Sequence, residues 1–224
     1  MTPKQLTGQT DTHLQPEQIG QKTFLVASSV ADDLHHLRQA ALNDGFNFHI
    51  ASGFRSFERQ LSIWNRKMSG ELAVLDENSH PIDIHSLSEE EQIQAILRWS
   101  ALPGASRHHW GSDFDVFDKD ALPDGVTLNL EPEEYLNGHQ HSFYLWLKQH
   151  AAQYGFFFPF QGKNHGVAFE PWHISHRATA THYLQNFSLE MLTQQISLTP
   201  ILGQQAILNQ LPSIYNQYIV NISD

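Results

Sequence analysis

The 224-residue chain contains no cysteine. Disulfides, thiolate zinc sites and cysteine nucleophiles are therefore excluded, and any metal ion must be held by His, Asp or Glu side chains. No run of roughly 18 apolar residues is present, so we expect no membrane span. Residues 1–8 also lack the apolar stretch of a signal peptide. Taken as written, the sequence predicts a cytoplasmic protein, or a periplasmic one if a leader has been removed.

Basic residues are scarce as well. Thirteen Lys and Arg stand against 24 Asp and Glu, for a formal net charge of −11 at pH 7 with histidines neutral. Nucleic-acid binding needs a basic patch, so we expect no nucleic-acid partner. Hydrophobic residues make up 40% of the chain and aromatic residues 11%, which is typical of an ordered globular protein. The composition leaves the oligomeric state open.

Periodicity and capping signals predict a mixture of helices and short strands. The predicted helices are 28–43 before Gly45, 56–67 capped by Ser56, 88–100 opened by a capping box, and 142–154 before Gly155. The predicted strands are 46–50, 114–117, 156–160 and 167–169, and residues 69–87 are predicted to be a loop. From about Arg177 the chain is predicted to be mostly helical, with Thr199 as a cap and Pro200 at the first helical position.

This irregular order of elements favours an α+β fold over a doubly wound parallel sheet. We expect one domain over residues 1–224. Its motif-bearing core covers about 20–176, and a helical C-terminal extension covers about 177–224.

Two short segments carry the metal-binding chemistry of the chain: SRHHWGSDFD at 106–115 and EPWH at 170–173. Gly111 permits a tight turn that can aim His108 and Asp115 at one point. Proline at 171 keeps the second segment out of a regular helix. A catalytic zinc site uses three protein ligands and leaves a fourth position for water. On this pattern His173 would bind the metal, while Glu170 would reach the water as a general base.

The same residues admit other interpretations. Adjacent side chains of an extended chain point to opposite faces, so we expect His109 to point away from His108. The acidic run that begins at Asp113 does not match a calcium-binding EF-hand, because Asp118 stands where that loop needs glycine. We expect Asp118 at a solvated strand end. A structural zinc is an alternative that needs a fourth ligand, for which His109 or Asp113 would have to serve.

Three motifs in order resemble one family. Ser106-x-His108-x-x-Gly111-x-x-x-Asp115 followed by Glu170-x-Trp172-His173 resembles the signature of the VanY-type zinc D-alanyl-D-alanine carboxypeptidases. The upstream segment SGFRSFERQ at 52–60 is similar to that family's Ser-Gly-Tyr-Arg-Ser…Gln element. The resemblance covers about residues 20–176. It implies a small antiparallel sheet that carries zinc and is flanked by helices, related in fold to lysostaphin-type and hedgehog-type domains.

The resemblance also implies roles for individual residues. One zinc ion per chain would be held by His108, Asp115 and His173, with Glu170 as the catalytic base. The substrate side would be formed by Arg55, Gln60, Ser106 and Trp172. Arg55 has two open roles, stabilising the oxyanion or binding the terminal carboxylate of the substrate. Trp172 is explained almost equally well as a core residue.

The implied reaction is removal of the terminal D-amino acid from peptidoglycan stem peptides or muropeptides. Alternatives on the same substrates are an L,D-carboxypeptidase, a D,D-dipeptidase or an endopeptidase, and a non-catalytic zinc-containing binding module is a further one. The chain departs from the family pattern at Phe54, which replaces Tyr, and at Asp113, which replaces a small residue. Asp113 is expected either to orient a ligand or to add negative charge near the metal. Residues 69–105 and the helical tail lie outside the motifs.

Overall fold

A computed structural model describes residues 1–162 and 166–223. The strands in these ranges are β1 Leu14–Ile19, β2 Lys22–Ala27, β3 Phe48–Ser52, β4 Val74–Leu75, β5 Pro81–Ile82, β6 Asp113–Asp118, β7 Phe156–Phe157 and β8 His173–His176. The α-helices are α1 Pro3–Leu6, α2 Ala31–Asn43, α3 Phe57–Met68, α4 Glu89–Leu97, α5 Pro132–Leu136, α6 His141–His150, α7 Arg177–Gln185, α8 Leu189–Ser197 and α9 Gln204–Ile214. No helix of the described ranges is long and apolar enough to cross a membrane.

The central sheet has four antiparallel strands in the order β3-β6-β8-β7. Strand β6 lies between β3 and β8, and five of its six residues are buried, with side chains on both faces. A separate hairpin, β1–β2, turns at Gly20, whose φ of 63° lies in the left-handed region. The predicted α+β class, the small antiparallel sheet and the helical C-terminal region are confirmed.

Two large hydrophobic clusters form most of the core in the described part of the chain, and each includes a residue of segment 106–115. One joins the sheet to α2 and α6, through residues such as Leu34, Phe114 and Phe143. The other joins α3 and α4 to α8 and α9, with Trp64 fully buried at its centre. Residues of segment 69–105 and of the C-terminal helices therefore pack with α3 in one hydrophobic core.

Local capping explains why the helices begin where the sequence predicts. The Ser56 hydroxyl accepts a hydrogen bond from the Arg59 N–H at the start of α3. Ser88 and Glu91 form a reciprocal capping box at the start of α4. These signals depend only on neighbouring residues, which is why they could be identified in advance.

Several sequence predictions are wrong. Residues 69–87 are not a simple loop, because β4 and β5 pair there and a 3₁₀ turn follows at Ile84–Ser86. Residues 167–169 do not form a strand, and only an isolated bridge joins Phe169 to Gln161. Asp118 is buried rather than solvated, since it accepts hydrogen bonds from the backbone of Asn47 and Asp120.

The predicted helix start at Thr199 is also wrong. The Thr199 hydroxyl donates to the carbonyl of Gln195, so this residue terminates α8 instead of opening the next helix. Helix α9 begins later, after Gly203, whose φ is 75°. A threonine hydroxyl can accept a backbone N–H at the start of a helix or donate to a backbone carbonyl near its end. The sequence alone does not distinguish these two uses.

Candidate metal centre

The two metal-binding segments meet across the centre of the sheet. His108 lies on the 3₁₀ turn Arg107–Trp110, and Gly111 then reverses the chain into β6 with a φ of 65°. A Cβ atom at Gly111 would lie 2.5 Å from the Leu14 side chain, so only glycine fits this turn. In the register of β6 and β8, Asp115 pairs directly with His173. Strand pairing therefore brings together residues that are 58 positions apart in the sequence.

His108, Asp115 and His173 converge on one point. His108 Nε2 lies 3.3 Å from Asp115 Oδ2, and His173 Nδ1 lies 3.2 Å from Asp115 Oδ1. Tetrahedral bonds of about 2.0 Å to a zinc ion place neighbouring ligand atoms about 3.3 Å apart. Asp115 Oδ1 and His173 Nδ1 are buried and make no hydrogen bond with any residue in the described ranges. Two facing, unsatisfied buried ligand atoms fit a bound cation, so the donor set suits a metal ion.

The second nitrogen of each histidine ring is held by an acceptor. His108 Nδ1 donates to the Gly53 carbonyl at 3.0 Å, and His173 Nε2 donates to Asp113 Oδ1 at 3.1 Å. These contacts set the tautomers, because the donating nitrogen carries the proton and the other is left to bind a metal. The backbone and Asp113 thus aim both imidazoles at Asp115.

Asp113 is fully buried within a polar network. Besides the His173 ring, it accepts hydrogen bonds from Arg107 Nε at 2.7 Å and from the Ser112 hydroxyl at 2.7 Å. Burial by itself would raise the pKa of Asp113, but the Arg107 charge and the hydrogen bonds hold that pKa well below its usual range. Asp113 orients His173 rather than pointing at the metal position, so the structure favours the first of its two expected roles.

His173 and Asp115 strongly influence each other's pKa. Burial would lower the pKa of His173, yet the carboxylates of Asp113, Asp115 and Glu170 raise it well above its usual value. Burial would raise the pKa of Asp115, and the two histidines hold it well below the ordinary range. The site therefore concentrates negative charge where a cation belongs.

Glu170 lies at the edge of the same cluster. Its Oε2 atom is 3.3 Å from His173 Nδ1, and its backbone N–H donates to the Phe160 carbonyl. The side chain is buried and lines the cavity beside the metal ligands. This position is compatible with a carboxylate that exchanges a proton with a molecule bound at the fourth metal position.

Arg55 lies on the wall of the cavity, and Gln60 lies behind it and contacts it. Arg55 lines the cavity, and its two terminal nitrogens donate to Gln60 Oε1 at 2.8 Å and to the Ser52 hydroxyl at 3.2 Å. Gln60 is fully buried, and its amide nitrogen donates to the Ala101 carbonyl. Both ends of the Gln60 amide are therefore engaged within the protein, and its contact with the site is the hydrogen bond that it accepts from Arg55.

His108, Asp115 and His173 line a cavity of about 390 Å³, a size suited to a small-molecule or short-peptide ligand. Ser106 lies on its wall, and its hydroxyl makes no hydrogen bond to other residues of the described chain. Trp172 also lines the cavity, and it stacks on Trp99 with a ring separation of 6.4 Å. Trp172 thus belongs both to the cavity wall and to an aromatic cluster with Tyr135.

His109 lies outside the candidate metal cluster, as expected, but on a 3₁₀ turn rather than on the extended chain from which that expectation was argued. Its Nδ1 atom donates to the Arg55 carbonyl at 2.6 Å, and its Nε2 atom accepts the Gly104 N–H. Burial lowers the pKa of His109 to about 3, so the ring is neutral. This histidine ties the turn that carries His108 to the loop that carries Arg55.

Sequence reasoning missed two residues of the site. Arg107 pairs with Asp113 and also donates to the Ser175 hydroxyl at 2.6 Å. Its place between Ser106 and His108 was a usable signal, because a buried carboxylate needs a cationic partner. Lys67 was read only as the end of a helix, although it lines the same cavity.

Comparison with known proteins bears on this site. The family model described as VanY, D-alanyl-D-alanine carboxypeptidase, matches residues 23–179. An uncharacterized protein of Haemophilus influenzae is 41% identical over 123 residues, which are 53% of this chain and 93% of that protein.

Two solved structures share the fold. One is a variant of the vancomycin-resistance D,D-pentapeptidase VanY in complex with Zn(II), with a TM-score of 0.53 and 23% identity over 82% of this chain and 92% of that one. The other is the LD-carboxypeptidase LdcB, with a TM-score of 0.53 and 17% identity over 92% of this chain and 78% of that one. At these identities the likeness concerns the fold alone. Since the family model covers well over half of the sequence, including every motif described above, the chain belongs to the VanY family of D-alanyl-D-alanine carboxypeptidases.

Proposed function

We propose that this protein is a zinc-dependent D-alanyl-D-alanine carboxypeptidase that removes the terminal D-amino acid from peptidoglycan stem peptides or muropeptides. The observation that carries the proposal is the facing pair Asp115 Oδ1 and His173 Nδ1, 3.2 Å apart, buried, and without hydrogen bonds in the described chain. With His108 they supply three ligands and leave one position open, as catalytic zinc sites do. Family membership supports the choice of substrate.

The residues around the ligands suit peptide hydrolysis. A bound zinc ion would supply the Lewis acid that activates water and polarises the scissile carbonyl. Glu170 is the base that accepts a proton during the attack and returns it to the leaving amine. Arg55 faces the same cavity and stabilises the negative charge that develops on the carbonyl oxygen, where one such donor typically contributes about 3–4 kcal/mol.

The remaining polar groups keep this arrangement in place. Asp113 and the Gly53 carbonyl fix the two histidine rings, and Gln60 holds the Arg55 guanidinium. Ser106 presents a hydroxyl on the cavity wall that is available to hydrogen-bond a substrate amide. A site whose base and cation are both buried next to the ligands is hard to explain as a purely structural zinc site or a binding module.

Metal analysis and product identification test the proposal together. The purified protein is expected to contain one zinc ion per chain and to release D-alanine from pentapeptide stems that end in D-Ala-D-Ala. Mass spectrometry of products from tri-, tetra- and pentapeptide stems identifies the bond that is cut. Trimming of tetrapeptides alone would instead establish an L,D-carboxypeptidase, and release of a dipeptide would establish a D,D-dipeptidase. Absence of zinc, with no activity after zinc is added, would refute the proposal.

A further inference from the structure

Lys67 stands out among the lysine and arginine side chains of the cavity because neither an anion nor a hydrogen-bond acceptor of the described chain holds its charged group. Its ammonium group makes no ion pair or hydrogen bond with another residue of ranges 1–162 and 166–223. The neighbouring Arg66 differs: it is half exposed and pairs with Glu71 at 3.5 Å. Two arginines also line the cavity: Arg107 pairs with Asp113, and Arg55 donates to Gln60 and Ser52.

Helix α3 turns one face towards the cavity. Gln60, Ile63 and Lys67 follow one another at spacings of three and four, which places them on one side of the helix. Gln60 holds Arg55 at the metal-centre end of this face, and Ile63 and Lys67 line the cavity further along. In a helix the side chains lean towards the N-terminus, so the Lys67 side chain leans along this face in the direction of Arg55.

Apolar side chains form much of the wall of the cavity that Lys67 lines. The same cavity wall includes Ile63, Leu72, Leu75, Leu97 and Ile219. Burial lowers the pKa of Lys67, and the charge of Arg55 lowers it further, while the charge of Glu170 raises it. A half-buried ammonium group without a counter-ion is unfavourable, so the arrangement suits a ligand that brings its own negative charge.

We infer that Lys67 binds the free terminal carboxylate of the substrate's leaving residue and so determines specificity for peptides with an unblocked C-terminus. This inference rests on the proposed function. A carboxypeptidase substrate always carries this carboxylate, a short distance beyond the bond that is cut. Lys67 lines the same cavity as the candidate metal centre and offers that carboxylate a cation that no residue of the described chain already engages.

The assignment also gives Arg55 and Lys67 different tasks. Both terminal nitrogens of Arg55 are already anchored to Gln60 and Ser52, which holds the guanidinium in one place next to the metal ligands. A fixed donor suits the oxyanion, whose position is set by the metal. Lysine is a compact charge on a flexible stem and suits a carboxylate whose position varies with the leaving residue.

The inference can be tested by measuring peptide binding to a variant that is expected not to cut the peptide. The zinc-loaded Glu170→Gln variant is titrated calorimetrically with a stem pentapeptide that has a free terminal carboxylate and with the same peptide ending in a carboxamide. Adding Lys67→Met is expected to raise the Kd of the free acid about 10- to 100-fold and to leave the Kd of the amide unchanged. Lys67→Arg is expected to restore most of the preference for the acid.

Arg66→Met is the matched control. It removes the same charge one residue away on the exposed side of α3, and both Kd values are expected to stay within about twofold of the Glu170→Gln parent. Equal weakening of the acid and amide peptides by Lys67→Met would overturn the inference, as would an unchanged preference for the acid.

The proposed function is tested separately, by measuring whether the wild-type protein hydrolyses the free-acid peptide. If the wild type cuts the peptide but Lys67→Met keeps the acid preference, only the Lys67 assignment fails. If the wild type cuts no peptide, the proposed function fails, and the binding series still decides whether Lys67 recognises a terminal carboxylate.

Discussion

Replacing Asp113 by Asn removes one buried negative charge while keeping the shape of the side chain. In the structure Asp113 Oδ1 accepts from Arg107 Nε at 2.7 Å and from His173 Nε2 at 3.1 Å, while Oδ2 accepts from the Ser112 hydroxyl. An asparagine can keep its oxygen towards Arg107 and His173, and the Ser112 hydroxyl can rotate to accept from the new amide. The substitution therefore isolates the charge from the packing.

Two losses are expected from Asp113→Asn. Zinc affinity should fall about 10- to 100-fold, as is usual when the carboxylate behind a metal-binding histidine is removed. That range corresponds to about 1.4–2.8 kcal/mol of binding free energy. The free energy of unfolding of the zinc-free protein should fall by about 3–5 kcal/mol, because Arg107 is left buried without its counter-ion.

Asp118→Asn is the matched control. Asp118 lies on the same strand, is also buried, and accepts hydrogen bonds from the backbone of Asn47 and Asp120 without touching a metal ligand. Zinc affinity is measured by competition with a chromophoric chelator, and stability by urea unfolding of the zinc-free variants. The reasoning is refuted if Asp113→Asn binds zinc within twofold of the wild type, or if Asp118→Asn weakens zinc binding to the same extent.

Three further substitutions test other parts of the site. Glu170→Gln should lower kcat by about 10²- to 10⁴-fold while zinc content stays at the wild-type level, and activity within tenfold of wild type would remove Glu170 as the base. His173→Ala should lose zinc during dialysis against a chelator that leaves the wild type loaded; retention of one zinc per chain would show that the ligand set is different. Gln60→Leu should lower kcat about 10-fold at unchanged zinc affinity, since Arg55 loses the acceptor that positions it. A change in zinc affinity, or no change in kcat, would contradict that role.

Short-range features of this protein could be predicted from the sequence. The Ser56 cap and the Ser88–Glu91 box each depend on residues within one turn, and both helices begin where these signals indicated. The motif residues around His108 and His173 also carried enough information for the family, which the match over residues 23–179 confirms. Composition contributed the exclusion of cysteine ligands, which left His, Asp and Glu as the ligands available to any metal site.

The sequence predictions were wrong where contacts outside the local sequence determine the conformation. Thr199 closes α8, although its local sequence reads equally well as the start of a helix. Residues 74–75 and 81–82 are extended because they pair with each other, and two-residue strands leave no periodic pattern. Asp118 is polar at a strand end, yet backbone N–H groups from a neighbouring segment hold it inside.

The sequence by itself determined which residue types were available for a metal site and which motifs carry them. Only the tertiary structure decided which groups each of these residues contacts. Asp113 and Asp115 are two residues apart on one strand, but they have different partners. Asp113 pairs with Arg107, whereas Asp115 lies in the cluster with His108 and His173. Gln60 and Lys67 lie on one face of a predicted helix, yet one is engaged on both ends of its amide and the other has no counter-ion in the described chain. Roles of this kind depend on charge, burial and the direction of hydrogen bonds. Those properties come from segments far apart in sequence, and a linear pattern does not contain them.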